Sequence, residues 1–130
     1  MMKPRTRLSA LKHILNMLDA CMLGAGAGRA IGGCMYRFKG SYCAVGCLFT
    51  EAQLDDIRKV GLNNVAVDEL AKYVGEENLK YMTGMTLDEL SEMQRMHDSA
   101  FDRYGDLGSF RKYLLQEIAE ERLTSLHLNG

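Results

Sequence analysis

The chain has 130 residues, 47% of them apolar and 25% charged, and these ordinary globular proportions exclude a disordered, collagen-like or membrane-embedded chain. At 14.6 kDa it has the size for one domain with one core. The formal charge of -1 hides a division: residues 1–40 carry seven Lys or Arg against the single Asp19, and residues 41–130 carry nine against sixteen acids, so a basic head of +6 precedes an acidic body of -7.

Residues 1–7 are basic like the start of a signal peptide, but Lys12, His13, Asn16 and Asp19 interrupt the apolar residues that follow. A secretory core would be continuous, and no run approaches the roughly 18 apolar residues that span a bilayer. A cytoplasmic protein is therefore expected, with no membrane contact. Its four cysteines, Cys21, Cys34, Cys43 and Cys47, read as reduced thiols in that compartment.

Leu outnumbers Val and Ile together by eighteen to nine and Pro occurs once, which predicts a mainly α fold. In the first helix Leu8, Leu11, Leu15, Leu18 and Met22 form one stripe, leaving Lys12, His13 and Asn16 outside it, and Gly24 ends it. A glycine-rich loop over 24–33 follows. Residues 34–38 and Ser41-Tyr42, around a Lys39-Gly40 turn, predict a small β-hairpin inserted after this helix. Ser41 is placed to cap a short helix over 43–49. Thr50 and Gln53 form a capping-box pattern opening a helix over 51–59, and further helices are predicted over 65–74, ended by Gly75, and over 76–82.

Thr86 and Glu89 form a second capping box. Leu90, Met93, His97, Phe101 and Tyr104 then share one face before Gly105. Ser109 opens the last helix, where Phe110, Leu114, Ile118 and Leu126 give a broad apolar face. The expectation is a single compact helical domain over 1–130, with 1–40 as basic helix, loop and hairpin and 41–130 as acidic helical body.

Several segments could carry chemistry. The glycine loop with Arg29 could cradle a phosphate through freed backbone N–H groups. Its context fails, because a helix precedes it and Cys34-Met35 stands where a phosphate loop needs Lys and Ser or Thr. A mobile connector is the simpler reading, and the sequence implies no cofactor. Cys43 falls at the first turn of the predicted 43–49 helix, where open N–H groups favour a thiolate, and His97 is the one histidine in mid-chain to serve as base. Against a Cys43–His97 hydrolase or transferase, His97 lies at the centre of an apolar stripe, and its neighbour Asp98 points about a hundred degrees away on the helix, too far to orient it.

Cys43 and Cys47, one turn apart, could join Cys34 around a metal, although the cysteine spacing matches no standard zinc pattern. For nucleic acid, Arg29, Arg37 and Lys39 could meet phosphates while Tyr36 and Tyr42 stack on bases. The pI near 6.3 and the acidic body oppose this and favour a protein partner with a basic groove.

The segments Gly40-Ser-Tyr-Cys-Ala-Val-Gly-Cys-Leu48 and Leu90-Ser-Glu-Met-Gln-Arg-Met-His-Asp98, followed by the helix at 110–118, resemble a family of small uncharacterised bacteriophage and prophage proteins. Its pattern is a leading helix, a turn, a Tyr- or Phe-Cys-Ala-hydrophobic-Gly-small-Leu helix start and a later element ending in His- or Asn-Asp, spanning here about residues 8–122. The resemblance implies a phage accessory origin and no known activity; together with the small size, the split charge and the lack of a credible active site, it leads to the expectation of a non-enzymatic protein that binds a host or phage protein and inhibits host or antiviral-defence machinery. It assigns no catalytic role to Cys43, His97 or Asp98.

Overall fold

Helix dominates the computed structural model, which describes residues 5–24, 36–38, 40–101 and 105–129. In chain order the elements are α1 (Arg7–Asp19), β1 (Arg37–Phe38), β2 (Ser41–Tyr42), a 3-10 turn at Gly46–Leu48, α2 (Glu51–Lys59), α3 (Val67–Val74), α4 (Glu76–Thr83), α5 (Leu87–Ala100) and α6 (Leu107–Asn129). Arg29, Cys34, Lys39, Tyr104 and the glycine loop past Gly24 lie outside the described residues.

Both capping boxes read from the sequence form. The Gln53 N–H donates to Thr50 Oγ1 at 3.1 Å and the Thr50 N–H to Gln53 Oε1 at 2.8 Å. Thr86 and Glu89 repeat the pair at 3.2 and 2.8 Å. Each box satisfies two N–H groups that a helix start leaves open, and the Thr cap is worth about 1 kcal/mol. A third, Thr6 with Ser9, opens α1. Helix α6 begins at Leu107 and not at Ser109, because the Asp106 carboxylate accepts from the Gly108 N–H at 2.9 Å and the Ser109 hydroxyl at 2.8 Å.

Helix α1 ends well before Gly24. Cys21 takes φ +59°, its N–H donates to Leu18 O at 3.0 Å, and the Met22 N–H donates to Met17 O at 2.9 Å. These two bonds make a Schellman end with Cys in the left-handed position that Gly normally holds. Met22 thus leaves the helix and the buried stripe expected for it, and stands exposed. The buried arc of α1 centres on Ala10, Leu11 and Ile14, with Leu8, Leu15 and Leu18 only partly covered. The cause is double coverage, by α6 on one side and the 3-10 turn on another.

One core joins α1, the 3-10 turn and the inward faces of α2 to α6. Helices α1 and α6 run antiparallel: Arg111 near the start of α6 pairs with Asp19 at the end of α1, and Glu121 far along α6 pairs with Arg7 at the start of α1. The hairpin is a two-residue ladder, Arg37 opposite Tyr42 and Phe38 opposite Ser41. Tyr42 also exchanges backbone bonds with the chain leaving α1, donating to Met22 O at 3.0 Å and accepting from the Gly24 N–H at 3.3 Å. Gly75 ends α3 and starts α4 at φ +92°, ψ 136°, a conformation open to Gly without strain. Among the described residues no helix is long and apolar enough to cross a membrane.

Candidate functional site

The predicted helix over 43–49 does not form. Residues 43–45 make a turn that tightens into the 3-10 segment, with the Cys47 N–H donating to Cys43 O at 3.1 Å and the Leu48 N–H to Val45 O at 3.0 Å. Gly46 explains the shape. A Cβ there would stand 1.9 Å from Tyr36 O, so the turn packs directly on the Tyr36 backbone. Tyr36 is itself 2% exposed; its hydroxyl donates to Val65 O at 2.8 Å and its ring meets Phe49 edge-on at 6.0 Å. A side chain so placed anchors the turn and offers no surface for stacking a base.

Both thiols of the turn are spent locally. Cys43 Sγ accepts from the Gly46 N–H at 3.2 Å and Cys47 Sγ donates to Ala44 O at 3.1 Å. Cys43 is 0% exposed. Burial pushes the Cys47 thiol well above its ordinary range, so it stays protonated and unreactive. Without a helix behind Cys43, the dipole argument for a thiolate has no structural basis. His13, expected outside the α1 stripe, is half-buried, and its Nε2 stands 3.0 Å from Cys47 O. The carbonyl can only accept, so Nε2 carries the hydrogen. Burial, with Arg5 nearby, holds this imidazole below its ordinary pKa.

His97 is also 0% exposed. Its ring lies 4.6 Å from Phe101 and 6.2 Å from Phe110. Contrary to the helical-wheel expectation, Asp98 does orient it: Nδ1 and Asp98 Oδ1 are 3.2 Å apart, and the same oxygen accepts from Gln94 Nε2 at 3.2 Å. The short Asp side chain bends back along its own helix to reach the adjacent residue. His97 Nε2 has no hydrogen-bond partner, and Nδ1 belongs to Asp98, so no hydrogen bond joins this ring to the Cys43 sulfur. An Asp–His pair is present, but solvent reaches neither the imidazole nor the thiol proposed for it.

Of the basic candidates, Arg37 lies within the described residues, and its guanidinium is engaged by the acidic body. Arg37 pairs with Glu51 and, at 2.5 Å, with Asp55, and the Tyr42 hydroxyl donates to Glu51. These α2 carboxylates occupy Arg37 and Tyr42, two of the groups expected to meet nucleic acid. Asp55 first and Glu51 next keep the Arg37 guanidinium charged. Of the metal candidates, Cys34 lies outside the described residues, and among those described no cluster of three His, Cys, Asp or Glu side chains is arranged to hold an ion.

No protein-family model, curated protein or solved structure matches the chain. Assignment of a role therefore rests on the residues themselves.

A cluster absent from the sequence reading is the most developed polar feature. Arg7 meets Glu117 and Glu121 at 2.9 Å each, and its Nε meets Glu89. One guanidinium thereby joins α1, α5 and α6. Although burial works against the charge, the bonds to Glu117 and Glu121 hold the Arg7 proton above its ordinary range. A signal for it exists in the sequence: Glu117 and Glu121 repel at i,i+4 with no Lys or Arg at the i±3 or i±4 positions of their own helix, which favours a cation supplied from elsewhere.

Proposed function

We propose that the protein is a small phage-type accessory protein that acts by binding another protein with a basic face, and in doing so inhibits host or antiviral-defence machinery without catalysing a reaction. One observation carries the reading. The groups suited to chemistry, Cys43 and His97, are sealed in the core at 0% exposure, while large side chains suited to recognition point outward at the α3–α4 elbow. Tyr73 is 71% exposed and Tyr81, further along α4, 50%, on two helices whose exposed acids Asp68, Glu69, Glu76 and Glu77 outnumber the exposed Lys72, paired with Glu69, and Lys80. Exposed Tyr among mainly acidic side chains suits a protein interface, in which the aromatic anchors supply affinity and the excess negative charge steers encounter. The resemblance to small phage proteins supports the setting.

The test has two arms. Immobilised protein is expected to capture a defined partner from host lysate, and Tyr73→Ala with Glu76→Lys and Glu77→Lys is expected to lose it while retaining the circular dichroism of the parent. Iodoacetamide at neutral pH is expected to modify exposed Cys21 and to reach Cys43 and Cys47 only after denaturation. Turnover of an ester or amide substrate with rapid, selective labelling of native Cys43, and no captured partner, would overturn the reading.

A further inference from the structure

Helix α6 has two unlike faces. Phe110, Leu114 and Ile118 are buried against α1 and α5, whereas Lys112, Leu115, Gln116, Ala119, Glu120 and Leu123 face outward and are exposed. Leu115 is 42% and Leu123 65% exposed. Among the described residues no ion pair uses Lys112 or Glu120; the Glu120 carboxylate accepts from the Gln116 amide at 3.4 Å.

The order of charge along this face selects an occupant. Lys112 and Glu120 each stand four residues from Gln116, on opposite sides, and lie too far apart to pair within one helix. Two copies of α6 packed in parallel would oppose Lys112 to Lys112 and Glu120 to Glu120. Packed antiparallel with a two-fold axis at Gln116, they oppose each Lys112 to the partner's Glu120 and Gln116 to the partner's Gln116. Leu115 and Ala119 then fill the middle, and the small Ala119 allows the helix axes to approach to about 8 Å. The pattern is self-complementary, as a two-fold interface requires, and it repeats the antiparallel packing with unlike charges at both ends that α1 and α6 already use within the chain.

We infer that the outer face of α6 is a self-association surface, on which a second copy docks antiparallel about Gln116. This inference is independent of the partner proposed for the α3–α4 elbow. One helix face over about three turns buries less than a standard interface of roughly 1,600 Å², so the dimer is a weak one, with Kd on the order of 100 μM.

Sedimentation equilibrium from about 10 μM to about 1 mM, a span bracketing that Kd, is expected to show the mass rising from 14.6 kDa toward twice that value. Leu115→Glu with Leu123→Glu is expected to remain monomeric throughout. Lys112→Glu alone and Glu120→Lys alone are each expected to weaken association about tenfold, since each sets like charges opposite, and the two together to restore it to within about threefold of the parent. Both charge positions are exposed, so this exchange decides the question even if the leucine variant folds poorly. A parent that stays monomeric at about 1 mM, a dimer that survives the leucine substitutions, or a double exchange that fails to restore association would each overturn the inference.

Discussion

Arg7 and Arg37 both come from the basic head, both are 21% exposed, and both are held by carboxylates of the acidic body. Their partners differ. Glu89, Glu117 and Glu121 are 23–32% exposed, whereas Glu51 and Asp55 are 64% and 49% exposed. The same chemistry is thus a three-helix staple in one place and a solvated pairing in the other. Water around the α2 acids can replace a lost guanidinium; around the α5 and α6 acids it does so poorly, leaving three carboxylates without their counter-charge. The asymmetry of charge between head and body therefore serves the contact between them, with Asp19 and Arg111 as its reciprocal.

Substitution separates the two sites. Arg7→Ala is expected to lower the unfolding free energy by about 2–3 kcal/mol in urea, and adding Glu117→Gln and Glu121→Gln to regain part of that loss by removing the stranded charge. Partial recovery distinguishes an electrostatic staple from simple loss of packing.

Acid sharpens the difference. Backbone and guanidinium contacts hold the Glu89 carboxyl below its ordinary 4.5 even though burial opposes them. A carboxyl lowered in the folded state stabilises above its unfolded pKa, and that contribution is lost as pH falls through the folded value. The parent is expected to lose stability steeply below about pH 4.5, and Arg7→Ala less steeply. His13, also lowered in the folded state, adds a shallower loss beginning near its unfolded value of about 6.5, because the unfolded chain takes up the proton first; His13→Gln is expected to remove that step in a urea-midpoint series against pH.

At the opposite end of α1, Cys21→Gly is expected to raise stability by about 1 kcal/mol in thermal or urea unfolding, since Gly adopts the left-handed position without the strain that Cys carries. The smallest effect is expected at the exposed pair: Arg37→Ala should change stability by no more than about 0.5 kcal/mol.

Features set by near neighbours are legible in the sequence. The boxes at Thr50 and Thr86, the ends at Gly75 and the buried face of Leu90, Met93 and His97 need only residues within one or two turns. The α1 end falls short of Gly24 because Cys21 takes the left-handed position that a glycine usually marks in a sequence. The segment at 43–49 departs from a helix because the carbonyl that shapes it belongs to Tyr36, and a helix period cannot register a close approach from outside the segment. The Asp98–His97 contact escaped the wheel argument because angular separation on a helix describes Cβ directions, not where a short flexible carboxylate ends. The Arg7 staple joins residues far apart in the chain, its Glu117 and Glu121 partners lying 110 and 114 positions away, and only the unpaired repulsion of those two acids hints at it.

That separation has a consequence for how the chain is made. At translation rates of about 5–20 residues per second, some 5–20 seconds pass between synthesis of α1 and of the α6 segment that covers it. During that interval the side of α1 that packs on α6 is uncovered, with only the 3-10 turn available to its other side, and the guanidinium of Arg7 has none of its α6 acids. The cover of α1 is completed only by α6, so nascent chains halted before residue 107 are expected to be species that chaperones and proteases meet.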